Sequence, residues 1–305
     1  MLNKICIVLG ACCLVVAGVA ASGKGFGGPG RQGARLAEPA GQEATAGGPA
    51  AGSAPVAVGA GGLAAAVRRA GQGGPEWIAY QVPMIAGRGF TCCWDQGWKH
   101  GAPCHLEKRN QGWGSRGDHV VEEQDLAVLL RVDRGKVGRV RGLSADCPID
   151  PDGKRLTWLS GVSEEDSLAV LRDLAQGKDG GKSDDDEALA AISYHGSKAA
   201  DATLRDLARS GVEDTRSQAL FWIAQRGAPG AAETILAAID SDPSSEVREE
   251  AVFALSQLPD DDGTQSLLAL LQRAKSAEVR RQALFWLAQS DDPRAFDALA
   301  EILER

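Results

Sequence analysis

Three segments near the C terminus align without gaps at a spacing of 32 residues, and this repeat limits the possible folds more than any other feature. A fourth, more divergent copy precedes them at a step of 31 residues. Periods of about 20–50 residues are typical of solenoids, in which stacked repeats bury a continuous core. The residues that recur at equivalent positions are Arg216, Arg248 and Arg280; Phe221, Phe253 and Phe285; and Gln225, Gln257 and Gln289.

Each copy contains two amphipathic stretches with helical spacing. Ala219, Leu220 and Ile223 share one face of the first stretch, and Ile235 and Ile239 share one face of the second. Glycine, proline and aspartate residues separate the stretches, as expected between helices. Two helices alone cannot bury both apolar faces, so neighbouring copies must stack. The pattern therefore predicts an all-α solenoid of about four helix pairs over residues 183–305.

A short signature opens each of the three clear copies, as Asp214-Thr-Arg216, Glu246-Val-Arg248 and Glu278-Val-Arg280. With the helix pairs, this signature resembles HEAT repeats, particularly the bacterial phycobilin-lyase HEAT-like group. The resemblance implies a protein-binding surface. Some members of the family that the chain resembles are enzymes, namely lyases that act on bilins and hydroxylases that hold iron with His-Glu pairs. The chain has no His-Glu dipeptide, so the iron ligands are missing and no cofactor is expected.

The recurring residues are best explained by packing, because every repeat meets the same neighbours. We expect the phenylalanines to pack between repeats, and the arginines and glutamines to cap helices or to form hydrogen bonds between them. Trp222 and Trp286 share a position that is Ala254 in the middle copy, which could leave a shallow recess. The face of the second helices and the C-terminal end are the expected binding surfaces, and the last repeat could also mediate self-association.

The N-terminal residues have the features of an export signal. Lys4 precedes an apolar run from Ile5 to Ala21 that closes in small residues, so cleavage after Ala21 is expected. An uncleaved membrane anchor is the alternative, because the run approaches the shortest length that spans a bilayer. We therefore expect the protein in the periplasm or outside the cell. Residues 22–75 are rich in glycine, alanine and proline, and they predict a disordered linker.

Residues 76–180 predict a small β-rich module that ends in a helix. Asp133-Arg-Gly135 is a turn sequence between two apolar runs, a pattern typical of a β-hairpin. Ser163, followed by Asp166, forms a near capping box and predicts the start of the helix. The expected fold class is α+β, with the all-α HEAT-like solenoid after the cysteine-containing module. Strands are predicted over residues 77–83, 89–94, 126–132 and 136–141.

Four cysteines fall within the module, and an even number in an exported protein indicates disulfides. Adjacent cysteines point apart in an extended chain, so each would pair elsewhere. Cys92–Cys104 with Cys93–Cys147 and Cys92–Cys147 with Cys93–Cys104 both remain open, and a strained vicinal bridge is a third option. A zinc site is the alternative, as is a redox-active thiol. The ligands of such a zinc site would be Cys92 or Cys93, His100, Cys104 and His105.

The charge and the sequence motifs argue against several classes of function. Residues 181–305 contain 13 basic and 23 acidic residues, and this net charge of −10 argues against nucleic-acid binding. The chain has neither Gly-x-Ser-x-Gly nor His-Glu-x-x-His, so no catalytic set is visible. The sequence predicts an exported, non-enzymatic scaffold that binds a protein partner. The alternative is a metal-binding, redox or enzymatic protein whose chemistry lies in the Cys/His-rich module, with the solenoid as adaptor.

Overall fold

The computed structural model describes residues 54–87, 89–94, 103–108, 112–120, 124–177, 185–259 and 262–303. The predicted signal, the predicted linker up to residue 53 and His100 lie outside the described residues. Within the described residues, no helix is both long and apolar enough to cross a membrane.

A mixed five-stranded sheet forms the first part of the structure. Its strands lie in the order β1-β9-β2-β6-β7; β1 and β2 run parallel to β9, and β6 is antiparallel to both β2 and β7. Two further strand pairs, β3 with β5 and the short β4 with β8, lie outside this sheet. The strands are β1 (Val56–Ala57), β2 (Glu76–Pro83), β3 (Gly89–Trp94), β4 (Cys104–His105), β5 (Gly112–Val120), β6 (Asp125–Asp133), β7 (Lys136–Ser144), β8 (Ile149–Asp150) and β9 (Leu156–Ser160).

Both faces of the sheet are covered, and alternation along the strands distributes the side chains between them. Ile78, Tyr80 and Val82 of β2 point into the core that the helices share. Trp77 and Ala79 point to the opposite face, into a second core. That second core contains Cys104, Leu106, Leu129, Leu143, Cys147 and Trp158. The cysteine-containing segments thus cover one face of the sheet, and the helices cover the other.

The part of the predicted linker that the structure describes is ordered, so the linker prediction is wrong for these residues. Val56 and Ala57 form the edge strand β1, and helix α1 (Gly62–Arg69) buries Leu63 and Val67 in the helical core. The carbonyls of Ala70 and Gly71 accept hydrogen bonds from the turn between β6 and β7, each at 3.0 Å. A few large apolar residues within the alanine-rich stretch are enough to hold it on the sheet.

In the part of the chain that the structure describes, nine further helices follow the sheet. Helix α2 begins after Ser163, whose hydroxyl accepts a hydrogen bond from the Asp166 amide at 3.0 Å, as the capping pattern predicts. Four helix pairs come next, α3 with α4, α5 with α6, α7 with α8 and α9 with α10. The bounds are α2 (Glu164–Ala175), α3 (Asp185–Tyr194), α4 (Lys198–Ser210), α5 (Glu213–Arg226), α6 (Ala231–Ser241), α7 (Ser245–Ser256), α8 (Asp262–Arg273), α9 (Ala277–Ala288) and α10 (Pro293–Leu303).

The first helices of the pairs, α3, α5, α7 and α9, pack against one another in order along the solenoid. Helix α3 also packs on β7, where the backbone of Gly142 lies so close to Ala191 that an added Cβ would be 3.3 Å from its Cα. One hydrophobic core therefore runs from the sheet into the solenoid. The β-rich module and the solenoid were expected as separate domains, but the described residues share this core. The predicted hairpin and the α+β fold class are confirmed.

Candidate functional site

The C-terminal end of α3 is held by a buried hydrogen-bond network where sheet and solenoid meet. The last four carbonyls of a helix have no partner within the helix. Here Ala191 and Ile192 are bonded by His195, through Nδ1 at 2.8 Å and the backbone amide at 3.1 Å. The Ser193 carbonyl accepts from Arg226 at 2.7 Å, and the Tyr194 carbonyl accepts from the Ile85 amide at 2.8 Å. All four carbonyls therefore accept hydrogen bonds, and the donors come from three separate segments of the chain.

His195 continues this network into the sheet. A carbonyl only accepts, so its Nδ1 bond to Ala191 places the ring proton on Nδ1 and leaves Nε2 as an acceptor. The Ser167 hydroxyl lies 2.8 Å from Nε2 and 2.9 Å from the Tyr80 hydroxyl, and all three residues are buried. Burial lowers the pKa of His195 and raises the pKa of Tyr80 well above its usual value. The His195–Ser167–Tyr80 part of the network carries no charge at neutral pH, and its geometry indicates a structural role.

A line of aromatic rings crosses the first helices of the solenoid; we name it the aromatic ladder. It comprises Tyr194, Trp222, Phe221, Phe253, Trp286 and Phe285. Neighbouring ring centroids in this order are 6.2, 5.1, 5.8, 4.7 and 5.0 Å apart, distances typical of attractive ring pairs. The ladder therefore links all four helix pairs.

The phenylalanines of the ladder are not equivalent. Phe221 stacks on Phe253 across two repeats, with an interplanar angle of 10°. Phe253, however, packs on Trp286 instead of Phe285, next to the position where the middle repeat has Ala254. Phe285 contacts Trp286 of its own helix and remains 52% exposed, so this phenylalanine does not pack between repeats as expected.

The ladder has a partly exposed surface with an acidic edge. Phe221 and Phe253 are only half-buried, although they stack on each other. Asp214, Glu246 and Glu278 precede the three phenylalanines by seven residues, two helical turns earlier on the same face, and all three are exposed. The exposed residues of the second helices are small or polar by comparison, with Phe296 at 74% exposure as the large exception.

The recurring arginines bind the loops that precede their own helices. Arg216 donates to the Gly211 carbonyl and forms two 2.8 Å bonds with Asp242. Arg248 donates to the Asp242 carbonyl at 2.6 Å, and Arg280 donates to the Ala274 carbonyl at 2.8 Å. Of the glutamines, Gln257 and Gln289 are the C-cap residues that directly follow α7 and α9. The recurring arginines and glutamines therefore connect helices to loops, and their geometry indicates a structural role.

The four cysteines of the sheet region come together on one face of the sheet. The structure pairs Cys92 with Cys147 and Cys93 with Cys104, with Cα–Cα distances of 5.7 and 5.2 Å. This is the second of the two pairings that the sequence left open. The Cys93 amide also donates a 3.0 Å hydrogen bond to the sulfur of Cys104. Cys104 and Cys147 are fully buried.

His105 does not join the cysteines, although it follows Cys104 directly. Its Nδ1 lies 2.8 Å from a carboxylate oxygen of Asp152 and 3.5 Å from one of Asp150. The other carboxylate oxygen of Asp152 accepts from the Glu107 amide at 2.8 Å. The ligands of the alternative mixed site are therefore divided, because Cys93 and Cys104 bond to each other and His105 contacts carboxylates instead.

Glu107, which lies just after β4, links the β4–β8 strand pair to the five-stranded sheet. One of its oxygens accepts from the indole of Trp77 at 2.8 Å and from Arg131 at 2.8 Å. Burial alone would raise the pKa of Glu107, but these hydrogen bonds and the charge of Arg131 outweigh it and lower the pKa. The carboxylate is thus ionised at neutral pH and holds the cysteine-bearing segment on the sheet.

A fold of stacked helix pairs, with aromatic residues aligned along the first helices, defines the C-terminal region as a repeat solenoid of the HEAT-like class. Residues 202–284 match the family model for HEAT repeats, and residues 279–305 match the model for the PBS lyase HEAT-like repeat. Residues 202–305 therefore consist of HEAT-like repeats, and the resemblance inferred from the sequence is confirmed. These matches do not extend to the sheet.

Comparisons with individual proteins add little. No curated protein matches the chain. The solved structure of human deoxyhypusine hydroxylase in complex with glycerol is 20% identical in sequence, with a TM-score of 0.32. That match covers 41% of this chain and 44% of the hydroxylase, so the chain spans less than half of that protein. A likeness of this size carries no argument about function.

The sequence interpretation missed the network at the end of α3. One signal was available in the repeat itself. Arg226 occupies a position that is Leu258 and Ser290 in the following copies, so its charge departs from the pattern. Arg226 is nonetheless buried, forms an ion pair with Asp201 and donates to three carbonyls. A buried charge that breaks a repeat points to a local role, here the junction with the sheet.

Proposed function

We propose that the protein is a protein-interaction scaffold that binds a polypeptide segment along the aromatic ladder. The observation that carries the proposal is the partial exposure of rings that are already ordered by stacking. Rigid aromatic side chains supply large contact area at low entropic cost, and they are enriched in binding surfaces. The solenoid fold supports this function because its repeats place such rings in a line.

The acidic edge of the ladder supports a partner with basic side chains. Asp214, Glu246 and Glu278 form a row beside the phenylalanines, in a region with a net charge of −10. We expect a segment in which apolar or aromatic side chains contact the rings and flanking lysines or arginines contact the carboxylates. Screening by salt should then weaken the association.

Site-specific photocrosslinking tests this function. A photoreactive phenylalanine analogue is placed at Phe285 on the ladder, and at Phe296 on the second-helix face as a matched control. Both side chains are exposed, at 52% and 74%, so neither substitution disturbs a core. We expect a discrete crosslinked protein from position 285 in cells, and none from position 296. Crosslinks of equal yield from both positions would contradict the assignment of the surface.

A second experiment tests the charge of the edge. The triple variant Asp214→Asn, Glu246→Gln and Glu278→Gln retains the size of each side chain and removes three charges. We expect the crosslink from position 285 to weaken at low salt and to lose its dependence on salt concentration. Unchanged crosslinking would show that the residues of the acidic edge only stabilise the helix N-termini, where acidic side chains are also favourable.

Export is part of the same proposal. It is supported by the apolar run that ends at Ala21 and by cysteines that are close enough to form bridges. Fractionation of cells and mass analysis of the intact chain test it. We expect a mature protein that begins at Ser22 in the exported fraction; a full-length cytosolic chain with free thiols would contradict it.

A further inference from the structure

The sulfurs of the four cysteines form one cluster against the buried core of the sheet. The sulfur atoms of Cys92, Cys104 and Cys147 all lie within 4.8 Å of one another, and Cys93 is paired with Cys104. Zinc binds thiolates at about 2.3 Å in a tetrahedron, which places neighbouring sulfurs about 3.8 Å apart. After reduction, the two sulfurs of each bonded pair would have to separate from bonding distance to about 3.8 Å to surround an ion, a change of about 2 Å that rotation about the side-chain bonds can supply.

The surroundings of the cluster suit thiolates. The Cys93 amide donates a 3.0 Å hydrogen bond to Cys104 Sγ, and such N–H donors stabilise the charge of a metal-bound sulfur. Trp77, Leu143 and Trp158 belong to the same buried core and limit the access of water. Strands β4 and β8 hold Cys104 and Cys147 in place, since the Cys104 amide donates to the Pro148 carbonyl at 2.7 Å.

We propose that, after reduction, these four cysteines bind one zinc ion, so that the cluster has two closed states, a pair of disulfides and a zinc–tetrathiolate. The inference is independent of the function proposed for the ladder. It differs from the mixed Cys/His site that the sequence left as an alternative to disulfides, because Cys92 and Cys147 replace His100 and His105 as ligands.

The chemistry balances with a dithiol as reductant. Each disulfide takes two electrons and two protons from one dithiol, which becomes a cyclic disulfide, so two dithiols yield four cysteine thiols. Zinc then binds, and the thiols release up to four protons, because only thiolates coordinate the metal. Reoxidation by two equivalents of a small-molecule disulfide, each of which takes up two electrons and becomes two thiols, would re-form both bridges and release the ion.

The test uses the full chain in a background in which Cys6, Cys12 and Cys13 are serine, so that other thiols cannot bind the ion. Oxidised and reduced samples are incubated with zinc, desalted and analysed for metal by mass spectrometry, after titration confirms zero and four free thiols. We expect about one zinc per reduced chain and no retained zinc in the oxidised chain. Cobalt should give the intense visible absorption of a tetrahedral thiolate site.

Two variants distinguish this site from the mixed one. Cys147→Ser should abolish the tetrathiolate cobalt spectrum, whereas the double variant His100→Asn and His105→Asn should leave both zinc content and spectrum unchanged. The reverse result would establish the mixed site and overturn the proposal. So would a reduced chain with four free thiols that retains no zinc. If reduction unfolds the chain, zinc should restore its far-ultraviolet circular dichroism, and failure to do so would equally overturn the proposal.

Discussion

Replacement of Arg226 by methionine should be among the most destabilising single changes in the helical region. The side chain is 3% exposed and donates hydrogen bonds to the carbonyls of Ser193, His195 and Ser197 at 2.7, 2.6 and 3.0 Å. It also forms an ion pair with Asp201. Methionine retains much of the volume but no donor, so the substitution removes the hydrogen bonds without leaving a large cavity.

The expected loss of stability follows from the three carbonyls and the carboxylate that no longer have a hydrogen-bond donor. Ser193 and His195 are fully buried, and a buried acceptor without a partner costs about 1–3 kcal/mol. Removal of one member of a buried ion pair costs about 3–5 kcal/mol in total, and these contributions overlap. We therefore expect Arg226→Met to lower the free energy of unfolding by about 3–5 kcal/mol. That is a large share of the stability of a typical domain.

Urea unfolding at neutral pH, followed by circular dichroism, measures this loss. Arg273→Met is the matched control, since its ion pair with Asp240 is half-exposed and should contribute less than about 1 kcal/mol. Asp201→Asn separates the ion pair from the carbonyl bonds; it should cost less than half as much as Arg226→Met. Equal losses in Arg226→Met and Arg273→Met, or in Arg226→Met and Asp201→Asn, would refute the assignment of Arg226 as the cap of α3.

Three further predictions concern the same junction, the N-terminal segment and the cysteines. Because burial lowers the pKa of His195 below its unfolded value of about 6.5, with Arg226 acting in the same direction and Glu164 against it, the folded state resists protonation. Stability should therefore be complete above pH 6.5 and fall below it by at most about 1.4 kcal/mol per pH unit. Urea midpoints between pH 7.5 and 5.5 test this, and a His195→Gln variant with the same pH dependence would contradict it. Leu63→Ala should cost about 2–5 kcal/mol, because Leu63 is fully buried, and should make residues 54–75 sensitive to protease; an exposed Val56→Ala control should change neither. Peptide mapping without reductant should recover Cys92 linked to Cys147 and Cys93 linked to Cys104 from the exported protein, whereas recovery of the alternative pairing would show that the strands meet in a different register.

The sequence predicted elements wherever the signal was local. The period of 32 residues placed the solenoid, because each repeat meets the same packing problem and so retains the same residues. The turn at Asp133-Arg-Gly135 placed the hairpin, and Ser163 placed the start of α2, since turns and caps depend on a few neighbouring residues. Composition misled at residues 54–75, where Leu63 and Val67 are too few to stand out from the alanines and glycines around them.

Tertiary structure decided what depends on residues distant in sequence. The pairing of the cysteines depends on β4 and β8 lying side by side, which no spacing along the chain reveals. The role of Arg226 depends on the end of α3 lying beside α5 and the sheet, and the exposure of Phe285 depends on Phe253 packing against Trp286 instead. The sequence by itself thus determined the repeat architecture, because its cause recurs every 32 residues. Only the folded chain determined which cysteines meet, which rings remain exposed and how the sheet joins the solenoid, because each of these is a single contact between distant segments.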